Sequence, residues 1–280
     1  MILALVLLAA AAIGPEPFAP ELSAKAVLFR GVLAADGTLY FFQKTAPAAD
    51  ADYRVFTSRR GRDGAWSPAL RLDLGGDHSD LYPFPSADGR LLVFASYRPA
   101  PEGAPRNGHI WYATRVGDGW SAPRYAAPVN APGHYHSALT LDARNTLRFR
   151  RTTPDWKSST PMMARWTGDG WSEPERDPEA ARWQGPRNGR YDWGTMPSPD
   201  GRWALVFTSE IDAATNRRLP AKTYIAHREG AGWSEPRLLP ESINGLEPNF
   251  WTFTPDGQAL LFTAAYSSFY RIAIADLLRL

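Results

Sequence analysis

The phrase Asp118-Gly119-Trp120-Ser121-Ala122-Pro123 constrains this chain more than any other stretch, because it returns. Asp169-Gly170-Trp171-Ser172-Glu173-Pro174 and Ala231-Gly232-Trp233-Ser234-Glu235-Pro236 repeat it, and Gly64-Ala65-Trp66-Ser67-Pro68 is a shortened copy. The copies lie 51 to 62 residues apart. A phrase with that period marks stacked like units, each unable to bury its apolar face alone. A second phrase runs in step with the first. It begins Asp36-Gly37-Thr38-Leu39-Tyr40-Phe41 and recurs as Asp88-Gly89-Arg90-Leu91-Leu92-Val93-Phe94. Asp200-Gly201 leads into Ala204-Leu205-Val206-Phe207, and Asp256-Gly257 into Ala259-Leu260-Leu261-Phe262. The degenerate copy, Arg144-Asn145-Thr146-Leu147-Arg148-Phe149, replaces Gly by Asn, the other residue that tolerates positive φ in a tight turn. The turn residues are 37, 89, 145, 201 and 257, with separations of 52, 56, 56 and 56.

Each unit reads as four strands, named a to d. Strand a precedes the Asp-Gly turn, as in Tyr82–Pro85, and strand b follows it, as in Leu91–Ser96. Strand c is expected at Ile110–Arg115, Pro161–Trp166 and Thr223–Arg228, and strand d begins at Trp-Ser-x-Pro. Proline in strand d suits an outer edge, where no ladder donor is missed. The tryptophans are expected to pack between units. Four-stranded units of this length arranged radially are propeller blades. Five Asp-Gly units meet only four Gly-Trp strands, because the fifth unit ends after its strand c, Phe269–Ala275. Phe18-Ala19-Pro20-Glu21-Leu22 matches Trp66-Ser67-Pro68-Ala69-Leu70 and so supplies the missing strand from the N-terminal side. That closure leaves no open edge. The expectation is an all-β, five-bladed propeller of four-stranded blades, with six blades as the alternative.

The Pro-Asp-Gly-Arg turns and Gly-Trp-Ser-x-Pro strands resemble the TolB-like β-propeller repeats of exported bacterial proteins, over roughly residues 26–275. TolB-like propellers usually have six blades, and TolB carries a separate N-terminal α/β domain. Neither is evident here, so the resemblance implies the repeat and not the Tol-system role.

Residues Ile2–Ile13 are continuously apolar. They are too short for a hydrocarbon core that takes about 20 residues to span. The stretch fits the h-region of a secretory signal, with Ala10-Ala11-Ala12 as cleavage site, although no Lys or Arg precedes it. The expectation is a signal over residues 1–12, a single propeller domain over 13–280, and a periplasmic or secreted monomer without a transmembrane segment. Net charge is +2 without long charge runs, which argues against nucleic acid as partner. The chain has no cysteine, which excludes disulfides, thiolate catalysis and cysteine-ligated zinc. No phosphate loop or G-x-S-x-G elbow occurs.

The a–b and c–d turns are short and nearly constant, so they share one end of the ring. The b–c and d–a connections are long and variable, and function concentrates on such loops. Strand a lines the channel and opens onto that variable face. Nine residues before the turn Gly/Asn stand Leu28, Asp80, His136, Asp192 and Pro248. Ten before stand Val27, Ser79, Tyr135, Tyr191 and Glu247, and eleven before stand Ala26, His78, His134, Arg190 and Leu246. His78, Asp80, His134, His136, Arg190, Asp192 and Glu247 thus gather at one mouth, with Asn249 and Trp183 beside them.

Three readings follow. The residues form a polar plug satisfied by each other and by water. Or His78, His134 and His136, with Asp80 and Asp192, hold a divalent metal such as Zn, Mn or Fe. Or Asp80, Asp192 and Glu247 supply a catalytic acid pair. Five-bladed glycosidases as a family also take an acid from the first blade, where this chain has Leu28 and Val27. Trp156, Trp183, Trp193 and Trp251 near that face offer flat surfaces to a sugar, with core packing as the plainer role of Trp193 and Trp251. Arg148, Arg150 and Arg151 read as a solvated basic strand. The functional expectation is a module that binds a ligand, glycan or envelope protein through its loop face, with no cofactor certain. The alternative is a carbohydrate-active lyase or hydrolase using the His/Asp set.

Overall fold

The computed structural model describes residues 14–23, 27–46, 52–101, 108–155, 158–181, 190–212, 214–215, 217–218 and 222–279. They form five antiparallel sheets arranged as a five-bladed β-propeller. The expected count holds, and the six-bladed alternative does not. Blade one runs Leu28–Leu33, Thr38–Lys44, Tyr53–Arg59 and Leu70–Arg71. Blade two runs Asp80–Pro85, Leu91–Ser96, His109–Val116 and Arg124–Tyr125. Blade three runs Tyr135–Leu141, Thr146–Thr152, Ser159–Arg165 and Glu175–Arg176. Blade four runs Arg190–Pro197, Trp203–Asp212, Lys222–Glu229 and Arg237–Leu238. Blade five takes Pro248–Phe253, Ala259–Ala264 and Ser268–Ala273 from the C-terminal end of the chain, and its outer strand, Glu16–Phe18, from the N-terminal side. Phe18 pairs with Phe269 and Glu16 with Arg271, so the ring closes as the matching phrases require. The apolar run Ile2–Ile13 lies outside the described residues. Among the described residues no helix is long and apolar enough to cross a membrane.

Each constant turn is built from the same bonds. The N–H of Gly37, Gly89, Asn145, Gly201 and Gly257 donates to the carbonyl three residues back, at 2.8–3.0 Å. All five adopt positive φ, between 58° and 79°, which is why only Gly and Asn occupy the position. Ser86, Ser198 and Thr254 donate their hydroxyls to Asp88, Asp200 and Asp256 at 2.6, 2.5 and 2.6 Å. The strand that follows is fully buried in blades two and five, where Leu91–Ser96 and Ala259–Ala264 lie between strands a and c.

The serine of Trp-Ser-x-Pro explains how strand d leaves strand c. Ser67, Ser121, Ser172 and Ser234 each accept the N–H of the facing residue on strand c, at 3.1, 3.1, 3.0 and 3.1 Å. Each also donates its own N–H to that residue's carbonyl, at 2.8–2.9 Å. The hydroxyl thus takes the place of a ladder carbonyl where the following x-Pro turns the chain outward. Trp66, Trp171 and Trp233 lie at seams between blades, as expected. Trp171 of blade three meets Tyr112 of blade two at 6.1 Å, and Tyr112 donates its hydroxyl to the Asp169 carbonyl at 3.1 Å. Trp233 donates its indole N–H to Glu179, on the turn of helix Pro178–Ala181 that precedes blade four.

One expectation fails on strand b of blade three. Arg148, Arg150 and Arg151 are not a solvated face. Arg150 is buried and donates to the hydroxyl and carbonyl of Ser159 at 2.9 and 3.1 Å. Arg148 pairs with the buried Asp177, and Arg151 donates to the Val129 carbonyl at 2.8 Å. An inner strand has neighbours on both edges and blades on both faces, so cations there need partners.

Candidate functional site

The mouth formed by the starts of the a strands brings together less of the polar set than its spacing suggests. Asp80 is buried at the start of strand a of blade two. Arg98 holds both of its carboxylate oxygens, at 3.0 and 3.2 Å. Arg98 is itself fixed by the Ser96 hydroxyl, the Leu74 carbonyl and the faces of Phe94 and Trp111. Burial pushes the Asp80 carboxyl up, while Ser96 and Arg98 pull it down. Asp80 is therefore tied into the wall of the channel.

His136 is also inside the wall. It is 3% exposed, and its Nε2 accepts the Ala131 N–H at 3.2 Å. Burial lowers its pKa to about 3, helped by the Arg151 guanidinium and by His109, whose ring lies 5.9 Å away. His134 stays at the rim with Nδ1 3.0 Å from the Pro132 carbonyl, and His78 is half-buried near Asp80. Among the described residues no group of three His, Asp or Glu side chains is placed to hold a metal ion. A neutral imidazole with its acceptor nitrogen engaged, pressed beside a guanidinium, has no free lone pair on Nε2 for a cation.

Glu247 is exposed, and its backbone carbonyl accepts the Asn249 side chain at 2.8 Å. Arg190 and Asp192 lie on strand a of blade four as expected, paired to Glu210 and Thr208 across the ladder. Trp183 and Trp156 fall outside the described residues. Trp251 is buried against Phe262 at 4.4 Å and donates to the Thr223 hydroxyl of blade four, so it is inter-blade core.

What the mouth does assemble is aromatic. In all five blades strand a carries one extra residue relative to strand b, between Phe29 and Val32, Leu81 and Phe84, Ser137 and Thr140, Asp192 and Gly194, and Asn249 and Thr252. At the shared bulge position Arg30, Tyr82, Ala138 and Phe250 have φ of 21°, 51°, 54° and 53°. The bulge re-aims these side chains. The Tyr82 ring lies 5.0 Å from Phe42 and 6.1 Å from Phe250. Phe250 lies 5.6 Å from Phe29 and 5.9 Å from Tyr266, and Phe29 lies 5.3 Å from Tyr53. Tyr266 sits in the b–c turn of blade five, where Ala265 and Tyr266 both hold positive φ, 43° and 56°. Its carbonyl accepts the Leu28 N–H at 2.9 Å, which anchors the turn to blade one. Tyr266 is 43% exposed and Tyr97 36%. Burial pushes the Tyr82 hydroxyl up to about 12, against the pull of Arg30.

Of the nine non-glycine residues with positive φ among the described residues, seven belong to these bulges or to the blade-five rim: Arg30, Tyr82, Ala138, Glu247, Phe250, Ala265 and Tyr266. Left-handed backbone in such residues costs on the order of 1–3 kcal/mol each and clusters at functional sites. The aromatic cluster was missed in the sequence because a bulge resets the alternation of a strand. The one sign of it is Gly194, which stands seven residues before the turn glycine, as Arg30, Tyr82 and Phe250 do in their blades.

No protein-family model matches the chain. No curated protein matches it. Among solved structures, it is similar to an endo-arabinase from Bacteroides thetaiotaomicron VPI-5482, with 13% identity, 92% of this chain and 97% of that chain covered, and a TM-score of 0.53. A protein described as a TolB from Agrobacterium tumefaciens is 13% identical, with 85% and 69% covered and a TM-score of 0.45. A Xanthomonas campestris gluconolactonase is 15% identical, with 90% and 74% covered and a TM-score of 0.47. These likenesses are to the propeller fold.

Proposed function

We propose that this chain is an exported binding module that takes a ligand with a flat, apolar face at its aromatic mouth. The carrying observation is the concentration of left-handed backbone there, which presents Tyr82, Phe250 and Tyr266 together with the exposed Tyr97. Strain kept at one end of an otherwise regular ring is compensated by the rest of the fold and marks a working surface. Aromatic rings bury much area with few torsions, so they bind at low entropic cost. The flat apolar faces of sugar rings suit such a surface, as do aryl groups. Export is supported by the apolar run Ile2–Ile13 and its Ala10-Ala11-Ala12 end.

The test is a thermal-shift and intrinsic-fluorescence screen of the purified chain against glycans and small aryl compounds, repeated with Tyr266→Ala. The expected result is a ligand whose binding weakens about tenfold in the variant, in line with the loss of one stacked ring. If Tyr266→Ala leaves every hit unchanged, or no compound binds, the reading fails.

A further inference from the structure

Among the described residues Arg30 is a buried cation whose guanidinium makes no hydrogen bond or ion pair. It sits at the bulge of blade one, 3% exposed, beside the aromatic cluster. Its guanidinium lies 5.3 Å over the ring of Phe84, two residues beyond Tyr82 on strand a of blade two. Its Nε is buried and has no hydrogen-bond partner among the described residues. No carboxylate pairs with it among them either. The other deeply buried arginines differ. Arg54 has Asp77 at 2.6 Å and Arg98 has Asp80 at 3.0 Å, while Arg150, with no hydrogen bond at Nη1 among the described residues, still donates to the Ser159 hydroxyl at 2.9 Å.

A buried charge without a counter-charge is strongly unfavourable, and chains normally supply a partner or an apolar residue. The stack on Phe84 returns only part of that cost. Burial lowers Arg30 to about 10, so it stays cationic at neutral pH. The strained Tyr82, a member of the mouth cluster with its ring half-buried against Phe42 and Phe250, lies close enough to this guanidinium to feel its charge.

We infer that the ligand of the mouth is an organic carboxylate whose head group displaces Tyr82 and pairs with Arg30 while its flat body lies on Phe250 and Tyr266. This rests on the binding reading and adds the charge of the ligand. A planar guanidinium meets a carboxylate through two parallel N–H···O bonds, which fits a carboxylate better than a spherical anion. The pairing also removes the penalty that the free protein carries at Arg30.

The experiment titrates benzoate, acetate, chloride and neutral benzamide against the full chain at constant ionic strength, read by thermal shift and tyrosine fluorescence. Benzoate is expected to change the fluorescence saturably and to raise Tm progressively with concentration, acetate more weakly, and benzamide not at all. Arg30→Met should keep its Tm without ligand and weaken benzoate at least about tenfold, as loss of a charge-assisted pair implies. Arg30→Lys keeps the charge but loses the planar fork, and should bind benzoate several-fold more weakly. An unchanged benzoate midpoint in either variant overturns the inference, as does a chloride response to which benzoate adds nothing. Tyr266→Ala separates the two readings. If it weakens benzoate while both Arg30 variants bind normally, the aromatic mouth stands and the charge assignment falls. If the Arg30 variants lose acetate and benzoate alike while Tyr266→Ala changes neither, the anion site stands and the aromatic mouth falls.

Discussion

The ring of Phe18 meets the indole of Trp66 edge-on at 5.2 Å, joining a strand from the start of the chain to the outer edge of blade one. Phe18 belongs to the strand that completes blade five, and Trp66 to the first copy of the repeated phrase. One contact therefore spans the seam where the ring closes. Around it Leu22, Leu39, Phe41 and Phe269 form a small core.

Phe18→Ala should cost about 2–3 kcal/mol, somewhat under the range for fully buried phenylalanines because Phe18 is half-buried. Removing residues 14–18 should do more, because strand c of blade five becomes an unpaired edge. Urea unfolding of both forms measures the first effect, and light scattering at the same concentration measures aggregation from the second. A truncated chain as stable and soluble as the whole would show that closure at this seam is dispensable.

The serine clamp makes a second prediction. Ser121→Ala removes the acceptor of the Thr114 N–H, and Ser172→Ala that of the Arg165 N–H. Each should cost about 1 kcal/mol, the usual net value of one such bond. The sites are on different blades and share no partner, so the double variant should lose the sum within about 0.5 kcal/mol. Denaturant midpoints at constant m-value decide it.

The blades could be read from the chain because each turn and each strand-d start uses a residue that little else can replace. Gly37, Gly89, Gly201 and Gly257 answer a left-handed turn, and Ser67, Ser121, Ser172 and Ser234 answer a missing ladder carbonyl. The site was harder for a definite reason. Aligning strand a alone placed Asp80 and His136 at the mouth but said nothing of what faces them. Asp80 lies across the ladder from Ser96, two residues before Arg98, and His136 lies across from Arg151. A cross-strand reading of the same hairpins would have put a guanidinium beside each. The bulge that aims Arg30, Tyr82 and Phe250 has no such signature, since three different side chains occupy it.

His136 makes stability depend on pH. Its folded pKa is lowered from 6.5 to about 3, by burial first and then by Arg151 and His109. The unfolded chain therefore binds a proton that the folded chain refuses between those values. Stability from this group is complete above about 6.5 and is lost as pH falls toward about 3, at no more than ~1.4 kcal/mol per pH unit. His136→Gln keeps an acceptor for the Ala131 N–H and cannot titrate. Its Tm should fall less steeply than wild type between pH 6.5 and 4; parallel curves would mean that His136 is not responsible.

The tie between Asp80 and Arg98 separates a structural carboxylate from a catalytic one. Asp80→Asn removes the charge opposite a guanidinium with 7% side-chain exposure. Breaking one half of a buried pair costs about 3–5 kcal/mol, because the other charge is left without a partner. Replacing both, as Asp80→Leu with Arg98→Met, should recover most of that loss, since a well-packed apolar pair is close to neutral with the ion pair it replaces. Arg98 also stacks on Phe94 and Trp111, and methionine can keep much of that packing. A carboxylate kept for chemistry predicts the opposite order: Asp80→Asn close to wild type in stability, and the double variant no better. Chemical denaturation of the three forms distinguishes them, and ligand binding at the mouth should survive in the double variant because Asp80 faces Arg98 within the wall.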